Sequence, residues 1–193
     1  MGLIAGMIKD KDPGVRSAAI DALGKLGDRA DTETVGLIAG WLRDKNPGVR
    51  SAAAWALGKL GDRVDAETVG LIAGRMRDED PHVRSAAVDA LGKLGDRVGA
   101  ETVELIAGRL QDGDSDVRRA AIWALGKLGG RVDAETVRLI AGRVRDRDSD
   151  VRRAAIDALQ RITAQETSLD PLWSLSTRFV RLFRAVFSGR KLR

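Results

Sequence analysis

Residues 49–61 read VRSAAAWALGKLG, and near copies of this stretch recur along most of the chain. Successive copies are 34 residues apart without an insertion, as their opening valines show: Val15, Val49, Val83, Val117 and Val151. A constant period of this length is typical of architectures in which stacked helical units share one continuous core. The stretch therefore predicts an all-α solenoid of about five helix pairs.

Each unit is predicted to contain two helices. The second helix begins after a good N-cap residue: Asp12, Asn46, Asp80, Asp114 or Asp148. It ends before a glycine, which suits the position past a helix end: Gly27, Gly61, Gly95 or Gly129. In the second unit its buried face is expected to comprise Val49, Ala53, Ala56, Leu57 and Leu60. The apolar face of the other helix is expected to comprise Val69, Leu71, Ile72 and Met76.

Two sets of glycines lie inside the predicted helices, although each costs about 1 kcal/mol relative to Ala. One set belongs to the sequence LIAG: Gly40, Gly74, Gly108 and Gly142. The other belongs to ALGK: Gly24, Gly58, Gly92 and Gly126. Both sets are interpreted as points where neighbouring backbones come unusually close.

The pattern DxDPxVRxxAxxALGKLGD resembles the HEAT repeat, in particular the short bacterial and archaeal type shared with phycobilin lyase subunits. The resemblance covers residues 2–163 and implies a right-handed α-solenoid. It also implies a ladder of ion pairs along the stack. The matching acids are Asp10, Asp44, Asp78, Asp112 and Asp146. The matching bases are Arg16, Arg50, Arg84, Arg118 and Arg152.

Composition argues against several functional classes. The chain has no Cys, so it lacks thiolate metal sites and a cysteine nucleophile. A single histidine, His82, cannot supply the His–Glu pairs of the di-iron enzymes that are also built from HEAT repeats. No apolar run approaches the roughly 20 residues of a membrane span, and the first residues do not resemble a secretory signal. We therefore expect a cytoplasmic protein that is not an enzyme and has no catalytic residues, metal or cofactor.

The net charge of +5 is unevenly distributed. Beyond Asp170 the chain carries six basic residues and no acid, so the repeats themselves are close to neutral. A basic tail is a weaker indication of nucleic-acid binding than a basic stripe across every unit would be. Nucleic acid is therefore an unlikely partner.

One position varies between copies on an otherwise constant background. The residue before ALGK alternates between acid and tryptophan: Asp21, Trp55, Asp89, Trp123 and Asp157. Arg119 and Arg153 lie four residues before the last two of these. On a helix this spacing forms one stripe, and in HEAT-like proteins that face lines the concave surface. These seven residues are the predicted partner-binding site, because exposed Trp is common among interface anchors. Alternatively, each Trp lies over a Lys or Arg of a neighbouring unit.

Both ends depart from the repeat. The first helix lacks the DTET opening of later copies, which suggests a fragment or an end that associates with a neighbouring molecule. Near the other end ALGKLG becomes ALQRIT (158–163), the stop glycine is lost, and the last helix is expected to continue for a few residues.

The C-terminal segment predicts an amphipathic basic helix that begins at Asp170 and Pro171. Its apolar half includes Trp173, Phe179, Phe183 and Phe187, and its basic half includes Arg178, Arg181 and Arg184. Such a helix could cap the fifth unit, in the same chain or in a neighbour, associate with a membrane surface or bind a separate partner. The predicted domains are thus a solenoid over 1–166 and a helix with its tail over 167–193.

A scaffold that binds a protein or peptide on its concave face accounts best for these features. Self-association through either end is possible. The alternative from another class is lyase-type or chaperone-like handling of a tetrapyrrole or another prosthetic group, which the family resemblance leaves open. Membrane-surface association through the C-terminal helix is a lesser alternative.

Overall fold

The structure, a computed structural model, describes Met7 and residues 9–169, with side chains as far as residue 164. Nine α-helices with complete bounds lie within this range, and none of the residues described is in a strand. The second helices of the five units are α1 (Pro13–Gly24), α3 (Pro47–Leu60), α5 (Pro81–Leu94), α7 (Ser115–Leu128) and α9 (Ser149–Leu169). The first helices of units two to five are α2 (Thr32–Gly40), α4 (Ala66–Gly74), α6 (Ala100–Gly108) and α8 (Ala134–Gly142). The predicted all-α solenoid of repeated helix pairs is confirmed.

The ends of most second helices follow the predicted signals, but α1 ends at Gly24, before the predicted stop at Gly27, which instead begins a 3₁₀ turn (Gly27–Arg29). The Asn46 side chain accepts a hydrogen bond from the backbone N–H of Val49, and the Asp114 side chain does the same for Val117. Gly61 ends α3 with a φ of +52°, a left-handed conformation that favours glycine. α9 has no such glycine and continues to Leu169, as expected from its sequence.

A continuous apolar core runs through the stack. The second helices pack directly against one another, whereas each first helix mainly contacts the second helix that follows it. Leu57, Leu91 and Leu125 occupy equivalent, fully buried positions along this core. The five residues predicted for the buried face of α3 are all buried, but Leu71 of α4 is only partly buried.

The glycines of ALGK are points of close approach, as predicted. A Cβ added to Gly58 would lie 2.7 Å from the Cα of Ala90 in the next second helix, and one on Gly126 would lie 2.9 Å from the Cβ of Ala158. The same interpretation is wrong for the LIAG glycines. A Cβ on Gly74 would have no neighbour within 4 Å, because this residue lies at the exposed end of α4, where the chain enters a 3₁₀ turn (Arg75–Arg77).

The predicted ladder is present and connects each unit to the next. Arg50 donates through Nε and Nη2 to the two carboxylate oxygens of Asp78, at 2.9 and 2.7 Å. Its Nη1 donates to the carbonyl oxygens of Asp44 and Lys45 in its own unit. Equivalent bidentate pairs join Arg16 to Asp44, Arg84 to Asp112 and Arg118 to Asp146. Within the part of the chain described, Asp10 and Arg152 form no ion pair with another unit.

Two opposing effects determine the pKa of the ladder carboxylates. Burial raises the pKa of Asp78, but hydrogen bonds from Arg50 and from the backbone N–H of Asp80 outweigh it, so the pKa lies below its ordinary value. The pKa values of Asp112 and Asp146 are lowered in the same way. These aspartates are therefore ionised at neutral pH.

The predicted C-terminal helix lies outside the residues described. This applies to Trp173, Phe179, Phe183 and Phe187 on its apolar half, and to Arg178, Arg181 and Arg184 on its basic half. The domain boundary at residue 166 and the roles considered for this segment stay predictions.

Substituting Gly58 and Gly74 by alanine should have opposite effects. Gly58→Ala forces a methyl group against the Ala90 backbone and should lower the free energy of unfolding by about 1–3 kcal/mol. Gly74→Ala meets open space and should raise it by about 0.4–1 kcal/mol, because alanine restricts the unfolded chain. Urea denaturation measures both values. Equal effects would contradict the close-approach interpretation.

Removing one ladder carboxylate should destabilise the fold and make its free energy of unfolding depend less on pH in acid. Asp78→Asn leaves the buried Arg50 without its counter-ion and should lower the free energy of unfolding at pH 7 by about 3 kcal/mol. Because the folded pKa of Asp78 is depressed, its contribution is complete above the ordinary value of 3.8 and is lost as the pH falls through the lower folded value. The variant should therefore lose less stability than the native protein below about pH 4.

The matched control for this experiment is Asp62→Asn, since the Asp62 side chain is 95% exposed. Its free energy of unfolding at pH 7 should stay within about 0.5 kcal/mol of the native value. Denaturant unfolding at several pH values measures all three proteins. An Asp78 variant that behaves like the Asp62 variant would contradict a structural role for the ladder.

Candidate partner-binding site

The predicted stripe lies along one face of the second helices. Its alternating residues occupy equivalent positions in consecutive helices: Asp21 in α1, Trp55 in α3, Asp89 in α5, Trp123 in α7 and Asp157 in α9. This arrangement follows from the 34-residue period, because equivalent residues of stacked units face the same side. The structure therefore brings the predicted partner-binding residues together on one surface.

This surface contains two open depressions that meet. The first, of about 630 Å³, lies across α1, α3 and α5, reaches the start of α7, and includes Asp21 and Trp55 in its lining. The second, of about 550 Å³, lies across α5, α7 and α9 and includes Trp123 and Asp157. Asp89 and Arg119 line both. We call the combined feature the groove, and Asp89 lies where its two halves join.

The two tryptophans have different environments. Trp55 is 36% exposed, and its ring is covered by the Nζ of Lys59 at 3.2 Å from the ring centroid, with the Nζ of Lys93 at 5.4 Å. Trp123 is partly buried and packs against the core, and the nearest lysine, Lys127, is 5.7 Å from its ring centroid. Trp55 therefore lies beneath lysines of its own unit and of the next, as the alternative interpretation proposed, yet it stays partly exposed and lines the groove.

Asp21 forms ion pairs with two lysines, although its buried Oδ1 accepts no hydrogen bond. Its carboxylate is 2.7 Å from the Nζ of Lys25, the residue immediately after α1, and 3.8 Å from the Nζ of Lys59. The hydrogen bond from Lys25 is the main reason that the pKa of Asp21 lies below its ordinary value. This end of the groove therefore carries a neutralised carboxylate.

Asp89 is half-buried and, among the residues described, has no ion pair or hydrogen bond of its side chain. Burial raises its pKa, and the positive charges of Lys93 and Arg119 offset this only in part. A half-buried carboxylate without a hydrogen-bond or charge partner lowers the stability of the folded protein. Asp157, by contrast, is exposed to solvent.

Both predicted arginines have acidic partners that the sequence reasoning missed. Arg119 is 2.8 Å from Asp116, and Arg153 is 3.7 Å from Asp150. The signal was available, because acid and base lie three residues apart on the same helix, where side chains meet. Each arginine therefore has an acidic neighbour on its own helix, although both pairs are exposed to solvent.

Metal binding and membrane crossing are two other functions to consider for the residues described. No group of three or more His, Cys, Asp or Glu residues among them is placed to hold a metal ion. In the same part of the chain, no helix combines the length and the apolar character needed to cross a membrane.

Matches to HEAT repeats cover residues 1–69, 68–138 and 102–186. Because these matches span nearly the whole sequence, the chain belongs to the HEAT-repeat family. No curated protein matches it significantly.

Solved structures share the architecture at low sequence identity. The chain is similar to the complex of CpcE and CpcF of phycocyanin lyase from Nostoc sp. PCC7120, with a TM-score of 0.70 and 23% identity over 99% of this chain and 71% of that one. It is similar to an archaeal HEAT-like repeats protein from Thermococcus onnurineus NA1, with a TM-score of 0.61 and 18% identity over 97% and 78%. It is also similar to a designed armadillo repeat protein in complex with the peptide (KR)4, with a TM-score of 0.58 and 14% identity over 97% and 98%. At these identities the likeness shows the fold alone, a HEAT or armadillo-like repeat scaffold.

Replacing each tryptophan by alanine should cost different amounts of stability, because the two rings have different environments. Trp123→Ala removes a ring that packs against the core and should lower the free energy of unfolding by about 2 kcal/mol. Trp55→Ala removes a more exposed ring and should lower it by less than about 1 kcal/mol. Guanidinium denaturation of both variants measures the difference. Equal losses would mean that the two rings are packed alike.

Proposed function

We propose that the protein is a non-catalytic scaffold that binds an extended segment of a protein partner in the groove. The observation that carries this proposal is the groove itself, a continuous depression across all five second helices with an exposed tryptophan in its lining. Aromatic anchors of this kind dominate the binding energy of many interfaces.

Packing supports the assignment of the groove to the concave side. The second helices touch each other closely through Gly–Ala contacts, whereas successive first helices make few contacts. A two-layer stack curves toward the layer with the shorter spacing, which here is the layer of second helices. A concave surface encloses an extended ligand better than a convex one and exposes several units to it at once.

Relatives provide two precedents for the ligand class. The designed armadillo repeat protein was solved with a peptide, which fits a binding role for the present scaffold. The similarity to the phycocyanin lyase complex over 99% of the chain favours tetrapyrrole handling as the second candidate. Mixing the purified protein with a linear tetrapyrrole and recording its absorption spectrum tests that candidate, since binding would shift the pigment's bands.

Peptides selected from a random library on the native protein should depend on Trp55. We expect Trp55→Ala to weaken their binding at least tenfold, which corresponds to about 1.4 kcal/mol, because the ring lines the groove. The matched control is Leu37→Ala, which removes an exposed side chain of α2, a first helix away from the groove. Fluorescence anisotropy measures the dissociation constants.

The control variant should bind the selected peptides like the native protein. If Leu37→Ala weakens binding as much as Trp55→Ala, the ligand does not lie in the groove. If selection gives no peptide that binds, and the tetrapyrrole spectrum shifts, the second candidate replaces the first.

A further inference from the structure

We propose that the groove recognises an arginine of the partner, whose guanidinium group pairs with Asp89 and lies against the ring of Trp123. This inference rests on the proposed function, because it assigns the chemistry of the ligand to the same groove. It starts from the incomplete charge pairing of Asp89. In the part of the groove that the structure describes, Asp89 is the half-buried carboxylate without an ion pair.

Comparison with Asp21 shows why Asp89 has no partner. Both aspartates lie on a second helix and precede a lysine by four residues, a spacing that favours an ion pair. Lys93 lies on α5, and Lys25 is the residue immediately after α1. Asp21 forms this pair with Lys25 at 2.7 Å. Lys93, the equivalent partner of Asp89, instead has its Nζ 5.4 Å from the ring centroid of Trp55 in the preceding unit. The tryptophan thus attracts the lysine that would otherwise neutralise Asp89.

The remaining cation near Asp89 is also engaged elsewhere. Arg119 lines the groove beside Asp89, but its guanidinium is 2.8 Å from the carboxylate of Asp116. Asp89 is therefore partly desolvated without a direct donor. A donor that arrives with a ligand would provide the missing hydrogen bonds, and its charge would be opposite to that of the carboxylate.

Arginine fits this site better than lysine for two geometric reasons. Its planar guanidinium can donate two parallel hydrogen bonds to one carboxylate, and it can also stack on an aromatic face. Trp123 lines the same depression as Asp89, and Lys127 is 5.7 Å from its ring, compared with 3.2 Å between Lys59 and Trp55. Although Trp123 packs against the core, a lysine covers its ring less closely than Lys59 covers the ring of Trp55.

The test uses two peptides that differ only in charge. One is a labelled octapeptide of alternating serine and arginine, and the other carries citrulline, a neutral analogue of arginine, at the same positions. An extended octapeptide spans about 26–29 Å, so it can place one of its arginines at Asp89 in several registers. We expect the full-length native protein to bind the arginine peptide at least tenfold more tightly than the citrulline peptide.

Two variants test whether the preference for the arginine peptide depends on Asp89. Asp89→Asn keeps the shape of the side chain and removes its charge, and it should weaken binding of the arginine peptide at least tenfold. Glu67→Gln makes the same change of net charge at an exposed position on α4, a first helix, and should leave binding within twofold of native. The melting temperature of the Asp89 variant should be at least that of the native protein, because a desolvated charge has been removed.

Three results would overturn the inference. The first is equal binding of both peptides, the second is native affinity in Asp89→Asn, and the third is a melting temperature of that variant well below native, which would reveal a structural partner. Different results distinguish failure of the arginine assignment from failure of the proposed function. If library-selected peptides without cationic residues bind and Trp55→Ala weakens them, the groove is a binding site and only the arginine assignment is wrong. If neither Trp55→Ala nor Asp89→Asn affects any peptide, both proposals are wrong.

Discussion

Contact between the backbones of neighbouring second helices determines the geometry of the stack. A methyl group at Gly58 would lie 2.7 Å from the Cα of Ala90, and the corresponding glycines of the first, third and fourth units face alanines at 2.8–2.9 Å. Glycine opposite alanine lets helices approach more closely than the usual 8–10 Å between axes. The first helices make few contacts with one another, so the second helices form the more closely packed of the two layers.

The close spacing also brings the ladder within reach. Arg50 contacts the carbonyl oxygens of its own unit with one nitrogen and the carboxylate of Asp78 with two others, so one side chain joins two units at a defined distance. The Asp78 side chain in turn accepts a hydrogen bond from the backbone N–H of Asp80, the N-cap residue of α5. Buried ion pairs often add little net stability compared with apolar packing. The ladder is therefore better understood as a device for register, which keeps equivalent positions of successive units in line along the groove.

Much of the fold could be predicted from the sequence, because each local pattern occurs in several units of the repeat. The period and the N-caps of the second helices recur in all five units and the stop glycines in the first four, and these local patterns correctly indicated the helix pairs. The LIAG glycines were misinterpreted because a glycine near the end of a helix has the same one-letter pattern as a glycine at a helix contact. Arginines of the 3₁₀ turns were overlooked altogether. Arg97 donates to the carbonyl oxygen of Val64 in the preceding unit, a contact that depends on the spacing of the units and not on any local motif.

The groove shows how equivalent positions acquire different properties in a nearly uniform repeat. Trp55 and Trp123 occupy equivalent positions of their units. The ring of Trp55 lies beneath lysines from two units, whereas the ring of Trp123 packs against the core. The first arrangement draws Lys93 toward an aromatic ring, and Asp89, on the same helix as Lys93, is left half-buried without a pair. A uniform series of Asp–Lys pairs would have neutralised every unit and left no preference for a ligand. Alternating tryptophan with aspartate breaks that series, so one carboxylate at the centre of the groove keeps a charge that the protein itself does not neutralise. Half-burial without an ion pair therefore distinguishes Asp89 at the centre of the groove from Asp21, which pairs with lysine, and from Asp157, which is exposed to solvent.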